Sequence, residues 1–144
     1  RVGASWMTRE MRSEEIEDYL AYLDRVYDEI PPEAQVYLLG FSQGAATAAR
    51  WFYSGRRKLK GLVLWCGVFP PDLPEPQEPQ ASDLPLMVVR ATDDPFNSPE
   101  VEAEMKRNLQ KVTSSPRLYT FSGGHDLSDK PLVEVVREME NLRS

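Results

Sequence analysis

The chain has one cysteine, one histidine and no long apolar run, and each shortage removes a class of protein. Its one cysteine, Cys66, leaves no internal disulfide, which suits a reducing compartment, so a cytoplasmic location is expected. One Cys and one His do not make a protein-only zinc site, so no metal is expected. No apolar stretch approaches the roughly 20 residues that cross a bilayer. The longest, Leu62 to Cys66, suits a buried strand, and Cys66 at its end reads as a small buried hydrophobe. Basic residues are also scarce: 17 Lys and Arg against 23 Asp and Glu give a net charge of −6. Nucleic-acid phosphates would be repelled, so no such partner is expected. The basic triplet Arg56-Arg57-Lys58 follows the turn signal Ser54-Gly55 and reads as a solvated loop. Neither G-x-G-x-x-G nor G-x-x-x-x-G-K-[ST] occurs, which argues against a nucleotide-binding βαβ domain. At 144 residues the chain fits a single domain.

What is present is an alternation of strand and helix signals, hence an α/β fold. Ile16, Leu20, Leu23, Val26 and Ile30, spaced by three or four, mark an amphipathic helix from about Thr8 to Ile30, stopped by Pro31-Pro32. Tyr19, Tyr22 and Tyr27 flank that stripe and are expected to pack there. Val36-Tyr37-Leu38-Leu39 reads as a strand, Ala45 to Tyr53 as a helix, and residues 61–66 as a second strand. Residues 67–85 hold half of the chain's 12 prolines and must form a loop. Its stretch from Pro74 to Gln80 is the one piece of biased composition. Leu86-Met87-Val88-Val89 reads as a buried strand. Ser98-Pro99 is an N-cap with proline at the first helical position, opening a helix with Val101, Met105, Leu109 and Val112 that runs to about Lys111. Residues 117–121 form a further strand, and a last helix from near Pro131 is expected to bury Leu132, Val136, Met139 and Leu142.

Chemistry concentrates at three strand ends. Gly40-Phe41-Ser42-Gln43-Gly44 lies between a strand and a helix, the context that gives G-x-S-x-G its meaning: a sharp turn holds the serine hydroxyl out in open space. Both glycines are expected to be required, because a Cβ at either position would collide with the strand or helix. A serine needs a base and the base needs an orienting group. The base can only be His125, which follows Ser122-Gly123-Gly124. The carboxylate comes from Asp93-Asp94, just past the strand at 86–89. Parallel sheets place their ligands at this C-terminal edge. The order Ser42, Asp94, His125 is that of α/β-hydrolases. Gaps of 52 and 31 residues leave room for two βα units and one.

Four blocks in the same order resemble the phospholipase/carboxylesterase family: Gly40 to Ala46, Phe69-Pro70-Pro71-Asp72-Leu73, Thr92 to Phe96, and Gly123-Gly124-His125. The resemblance runs from about Trp6 to His125. It implies the C-terminal portion of an α/β-hydrolase fold, with a mostly parallel sheet and flanking helices. It also implies hydrolysis of short- to medium-chain esters, or of thioesters or lysophospholipids, without a cofactor, using Ser42, Asp94 and His125. Asp94 is favoured over Asp93 because a proline and an apolar residue follow it, as in the family's acid; Asp93 then faces solvent. Phe69 and Leu73 are expected to wall the acyl pocket. The first oxyanion donor is the Gln43 N–H; the second comes from a loop after an earlier strand. Nothing ahead of Thr8 supplies that strand, so the N-terminal strands of the complete fold are expected to be missing. The apolar edge of a four-stranded sheet must then be covered by those residues or by a partner chain, a second copy included. The competing expectation is a non-catalytic module that keeps the pocket only to bind.

Overall fold

Four short runs rich in leucine, valine and aromatics supply the sheet of this computed structural model, which describes residues 9–73, 84–112 and 116–143. They are β1 (Tyr37–Phe41), β2 (Gly61–Trp65), β3 (Leu86–Ala91) and β4 (Arg117–Phe121), all parallel, in the order β1-β2-β3-β4. Every residue of β2 and β3 is buried. That accounts for their apolar sequences, interrupted only by Arg90 in β3, since a parallel strand covered on both faces has no solvent side on which to alternate. The outer strands differ: β1 is half-buried, and in β4 only Phe121 is buried. Among the described strands, β1 pairs with β2 alone, so its other edge carries no partner there.

The helices are α1 (Arg9–Asp28), α2 (Gly44–Ser54), α3 (Pro99–Leu109) and α4 (Asp129–Arg143). Two compact units divide at Ala34 and Gln35, with α1 in the first and everything else in the second. Within α1, Leu20 is buried as the periodicity predicts, whereas Val26 and Tyr22 are exposed rather than packed. The helix ends at Asp28, before Pro31. The α2 helix lies on β1 and β2, buries Ala45, Ala48, Ala49, Trp51 and Phe52, and closes on Gly55 in the left-handed conformation. Ser98 caps α3 by accepting from the Val101 N–H at 3.2 Å, with Pro99 as its first residue. The helix stops at Leu109, two residues short of the expected end.

On the sheet face that carries Val63, Trp65, Met87 and Val89, Val135 and Met139 of α4 complete the core, with Leu132 and Leu142 packed beside it. The sequence reading assigned Val136 to this stripe, and that is wrong: Val136 is 48% exposed and Val135 0%. Residues 132, 135, 139 and 142 alternate steps of three and four and track one helix face. Position 136 sits one step off that line. The proline-rich stretch from Pro74 to Gln80 lies outside the described residues.

Candidate active site

At the end of β1 the chain reverses so sharply that Ser42 takes a φ of +58°, a left-handed backbone that serine seldom adopts. Two hydrogen bonds hold it: the Ser42 N–H to the Trp65 carbonyl at 2.9 Å, and the Ala45 N–H to the Ser42 carbonyl at 3.1 Å. The turn exists because Gly40 lacks a Cβ. One built there would stand 2.4 Å from the Gly44 oxygen and 2.7 Å from the Ala45 Cα. Gly44 is different, for a Cβ there meets nothing within 4 Å. The expected need for both glycines therefore reduces to one. A requirement absent from the sequence reading lies on the next turn, where a Cβ on Gly67 would come within 2.4 Å of both the Ala45 Cβ and the Ser42 oxygen. A glycine directly after an apolar strand was the available signal.

The loops after β3 and β4 are tied together. The Asp93 N–H donates to the Gly123 carbonyl at 2.8 Å, and the Gly123 N–H donates to Thr92 Oγ1 at 3.2 Å. This brings Asp94 and His125 into register. Asp94 Oδ2 lies 2.9 Å from His125 Nδ1, and His125 Nε2 lies 2.9 Å from Ser42 Oγ. Asp93, one residue away, is exposed and contributes its backbone to the loop pairing. The Asp94 side chain is 3% exposed and that of His125 16%. Burial alone would raise the Asp94 pKa, yet it lies below the ordinary carboxylate value. Hydrogen bonds from the His125 ring, the Phe96 N–H and the Cys66 thiol outweigh the desolvation. The imidazole is flanked by Phe41 and Phe96, with centroid distances of 5.1 and 4.7 Å.

A cavity of about 650 Å³ opens over this row, lined by Ser42, Gln43 and His125 and walled by Val68 and Phe96. Gln43 sits at the start of α2 and makes no side-chain cap bond. Phe69 and Leu73, the expected pocket wall, are not among its lining residues. Phe69 is 3% exposed, with its ring edge-on to Tyr53 at 5.9 Å, so it fills core beside α2. The same burial pushes the Tyr53 phenol up to about 12. Asp72 pairs with Arg50 of α2 at 3.1 Å and pins the loop there. Neighbouring side chains in an extended segment point opposite ways, which leaves Val68 for the wall. Arg90, given no role from sequence, is buried; it donates to the Gly67 carbonyl at 3.1 Å and pairs with Glu102, joining β3, α3 and the turn after β2.

Donor atoms of Cys66, Asp94 and His125 all lie within 4.8 Å of one another. The 2.9 Å between imidazole and carboxylate is a direct hydrogen bond, closer than the roughly 3.3 Å that separates two such ligands around a tetrahedral zinc. The pair is thus spaced as hydrogen-bond partners and not as two ligands of one ion. No helix among the described residues is long and apolar enough to cross a membrane.

Comparison with known proteins agrees with the architecture. A family model described as Phospholipase/Carboxylesterase matches residues 8–142. Acyl-protein thioesterase 1 homolog 2 of Dictyostelium discoideum is 36% identical over 64 residues, which are 44% of this chain and 29% of that protein. Acyl-protein thioesterase 2 of Zea mays superposes with a TM-score of 0.69 at 18% identity, covering 91% of this chain and 66% of the other. The carboxylesterase of Bacillus cereus does so with a TM-score of 0.60 at 21% identity, covering 99% and 67%. The chain thus spans about two-thirds of the length of these solved structures. Its parallel sheet and flanking helices match the C-terminal part of their α/β-hydrolase fold.

Proposed function

The chain belongs to the phospholipase/carboxylesterase family, and from that premise we propose that it hydrolyses short- to medium-chain carboxylic esters through an acyl-enzyme formed on Ser42. The reading rests above all on the unbroken run from Ser42 Oγ through the His125 ring to the Asp94 carboxylate, 2.9 Å at each step. His125 Nε2 accepts the Ser42 proton as the oxygen attacks the acyl carbonyl. Asp94 fixes the ring through Nδ1 and steadies its cationic form. The Gln43 N–H, at the positive end of α2, donates to the oxyanion. His125 then returns the proton to the leaving alcohol, and water repeats the cycle to free Ser42. No cofactor takes part in this scheme. The cavity of about 650 Å³ falls within the usual range for small-molecule sites, and its walls, Val68 and Phe96, suit an acyl chain. A cytoplasmic location goes with the reading, since the lone thiol suits reducing conditions.

The experiment is Ser42→Ala assayed on p-nitrophenyl butyrate, with a fluorophosphonate probe to label the serine. Complete loss of turnover and of labelling, with an unchanged melting temperature, is expected. A variant that hydrolyses at the parental rate refutes the assignment, and a parent that binds the ester without turnover or labelling identifies a non-catalytic module. A second substrate class, acyl thioesters, is favoured by the names of the Dictyostelium and maize relatives. Matched oxygen and thio esters of one acyl chain distinguish the two by kcat/KM.

A further inference from the structure

Beside the Asp94–His125 pair stands a group that the proposed mechanism does not use. Cys66 ends β2 in a left-handed turn with φ +50°, held by its N–H donating to the Val89 carbonyl at 3.0 Å. A β-strand that simply continued would send this side chain elsewhere. The turn instead brings the sulfur among the Asp94 and His125 donor atoms, all within 4.8 Å. Cys66 is 5% exposed, lines the same cavity, and its thiol interacts with the Asp94 side chain. The groups that act on it are the Asp94 carboxylate, the Asp126 backbone and the Arg90 guanidinium. Burial, followed by the charge of Asp94, pushes the thiol pKa up, so at neutral pH sulfur carries its proton and is a donor. Asp94 then receives the His125 ring and the Phe96 N–H, each at 2.9 Å, and the Cys66 thiol stands within 4.8 Å to serve as a third donor. Three donors leave the carboxylate little freedom to rotate away from the imidazole.

We propose that Cys66 is a positioning residue, its S–H donating to Asp94 and fixing the carboxylate against His125 Nδ1. The inference rests on the serine-hydrolase reading above. It departs from the view of Cys66 as a small buried hydrophobe, and the two make opposite forecasts. Alanine and serine are close in size, and both must adopt the same positive φ. If Cys66 only fills space, Cys66→Ala should serve at least as well as Cys66→Ser, which buries a hydroxyl. If it donates, the order reverses.

The test compares Cys66→Ala, Cys66→Gly and Cys66→Ser in the purified protein, with Ser42→Ala alongside, measuring kcat and KM separately and the melting temperature. Glycine suits the backbone angle without strain, so a donorless variant remains in hand if alanine does not fold. The donorless variants should lose kcat by a factor of about 3 to 10, the size of one ordinary net hydrogen bond, as suits a weak S–H donor, with KM unchanged. Serine should restore kcat to within about twofold of the parent, since O–H replaces S–H in the same bond. Parental kcat in the donorless variants, or serine no better than they are, overturns the inference while Ser42→Ala, if inactive, leaves the hydrolase reading standing. Hydrolysis that survives Ser42→Ala removes both.

Discussion

Asp93 and Asp94 are chemically identical and adjacent, and only the backbone tells them apart. The family resemblance favoured Asp94 through the Pro95-Phe96 that follows, and the structure brings that carboxylate to His125. We predict that Asp94→Asn lowers kcat by about 10³- to 10⁴-fold, the loss seen when the equivalent charge is removed from a serine protease. Asp93→Asn should stay within about threefold, because its side chain is exposed and substitutions of that kind rarely matter. A larger loss at position 93 would reassign the acid. The depressed pKa of Asp94 also sets a sign for stability against pH. A carboxylate bound more tightly when ionised stabilises the fold fully above its unfolded pKa of about 4, and loses that contribution as pH falls through the lower folded value. In acid titrations followed by circular dichroism, Asp94→Asn should therefore show a shallower loss of stability below about pH 4 than the parent. The glycines differ as sharply. Gly40→Ala forces a Cβ to 2.4 Å from the Gly44 oxygen and should cost about 2 kcal/mol or more by denaturant unfolding. Gly44→Ala, in open space within α2, should be neutral or stabilising by up to about 1 kcal/mol.

At the level of elements, the strands were legible to within two residues, most plainly β2 and β3, because buried parallel strands leave apolar runs. The helices were legible in position and less so in facing. For α4 the pattern offered two valines in succession, and 3.6-residue periodicity tolerates either as the inward one. The packing against Met87 and Val89 selects Val135, information that resides in the sheet and not in the helix sequence. Val135→Ala should accordingly cost about 1 to 3 kcal/mol in a thermal or urea melt, and Val136→Ala less than about 0.5 kcal/mol. Equal effects would contradict the assigned face. The segment after β2 misled for a related reason. A run such as Val68-Phe69 alternates sides, and only tertiary contacts, Tyr53 for the ring and Arg50 for Asp72, decide which side faces the cavity.

Across the whole molecule, the convergence of residues 42, 94 and 125 could be read in advance because a parallel sheet delivers every strand's C-terminal end to one edge. What could not be read was the bracing: Arg90 reaching to Gly67, the paired loops after β3 and β4, and the thiol beside Asp94 all depend on side chains distant in sequence. The strand order itself has a further outcome. Among the described strands, each pairs only with its neighbours along the polypeptide, so these strands can be laid down one at a time as the ribosome delivers the chain. The turn at Ser42 is braced once β2 has delivered the Trp65 carbonyl to its N–H. His125 comes later, directly after β4. A nascent chain therefore holds its serine in place for some 60 residues of synthesis before His125 can reach it, and the row in which it is proposed to react closes only once β4 has docked.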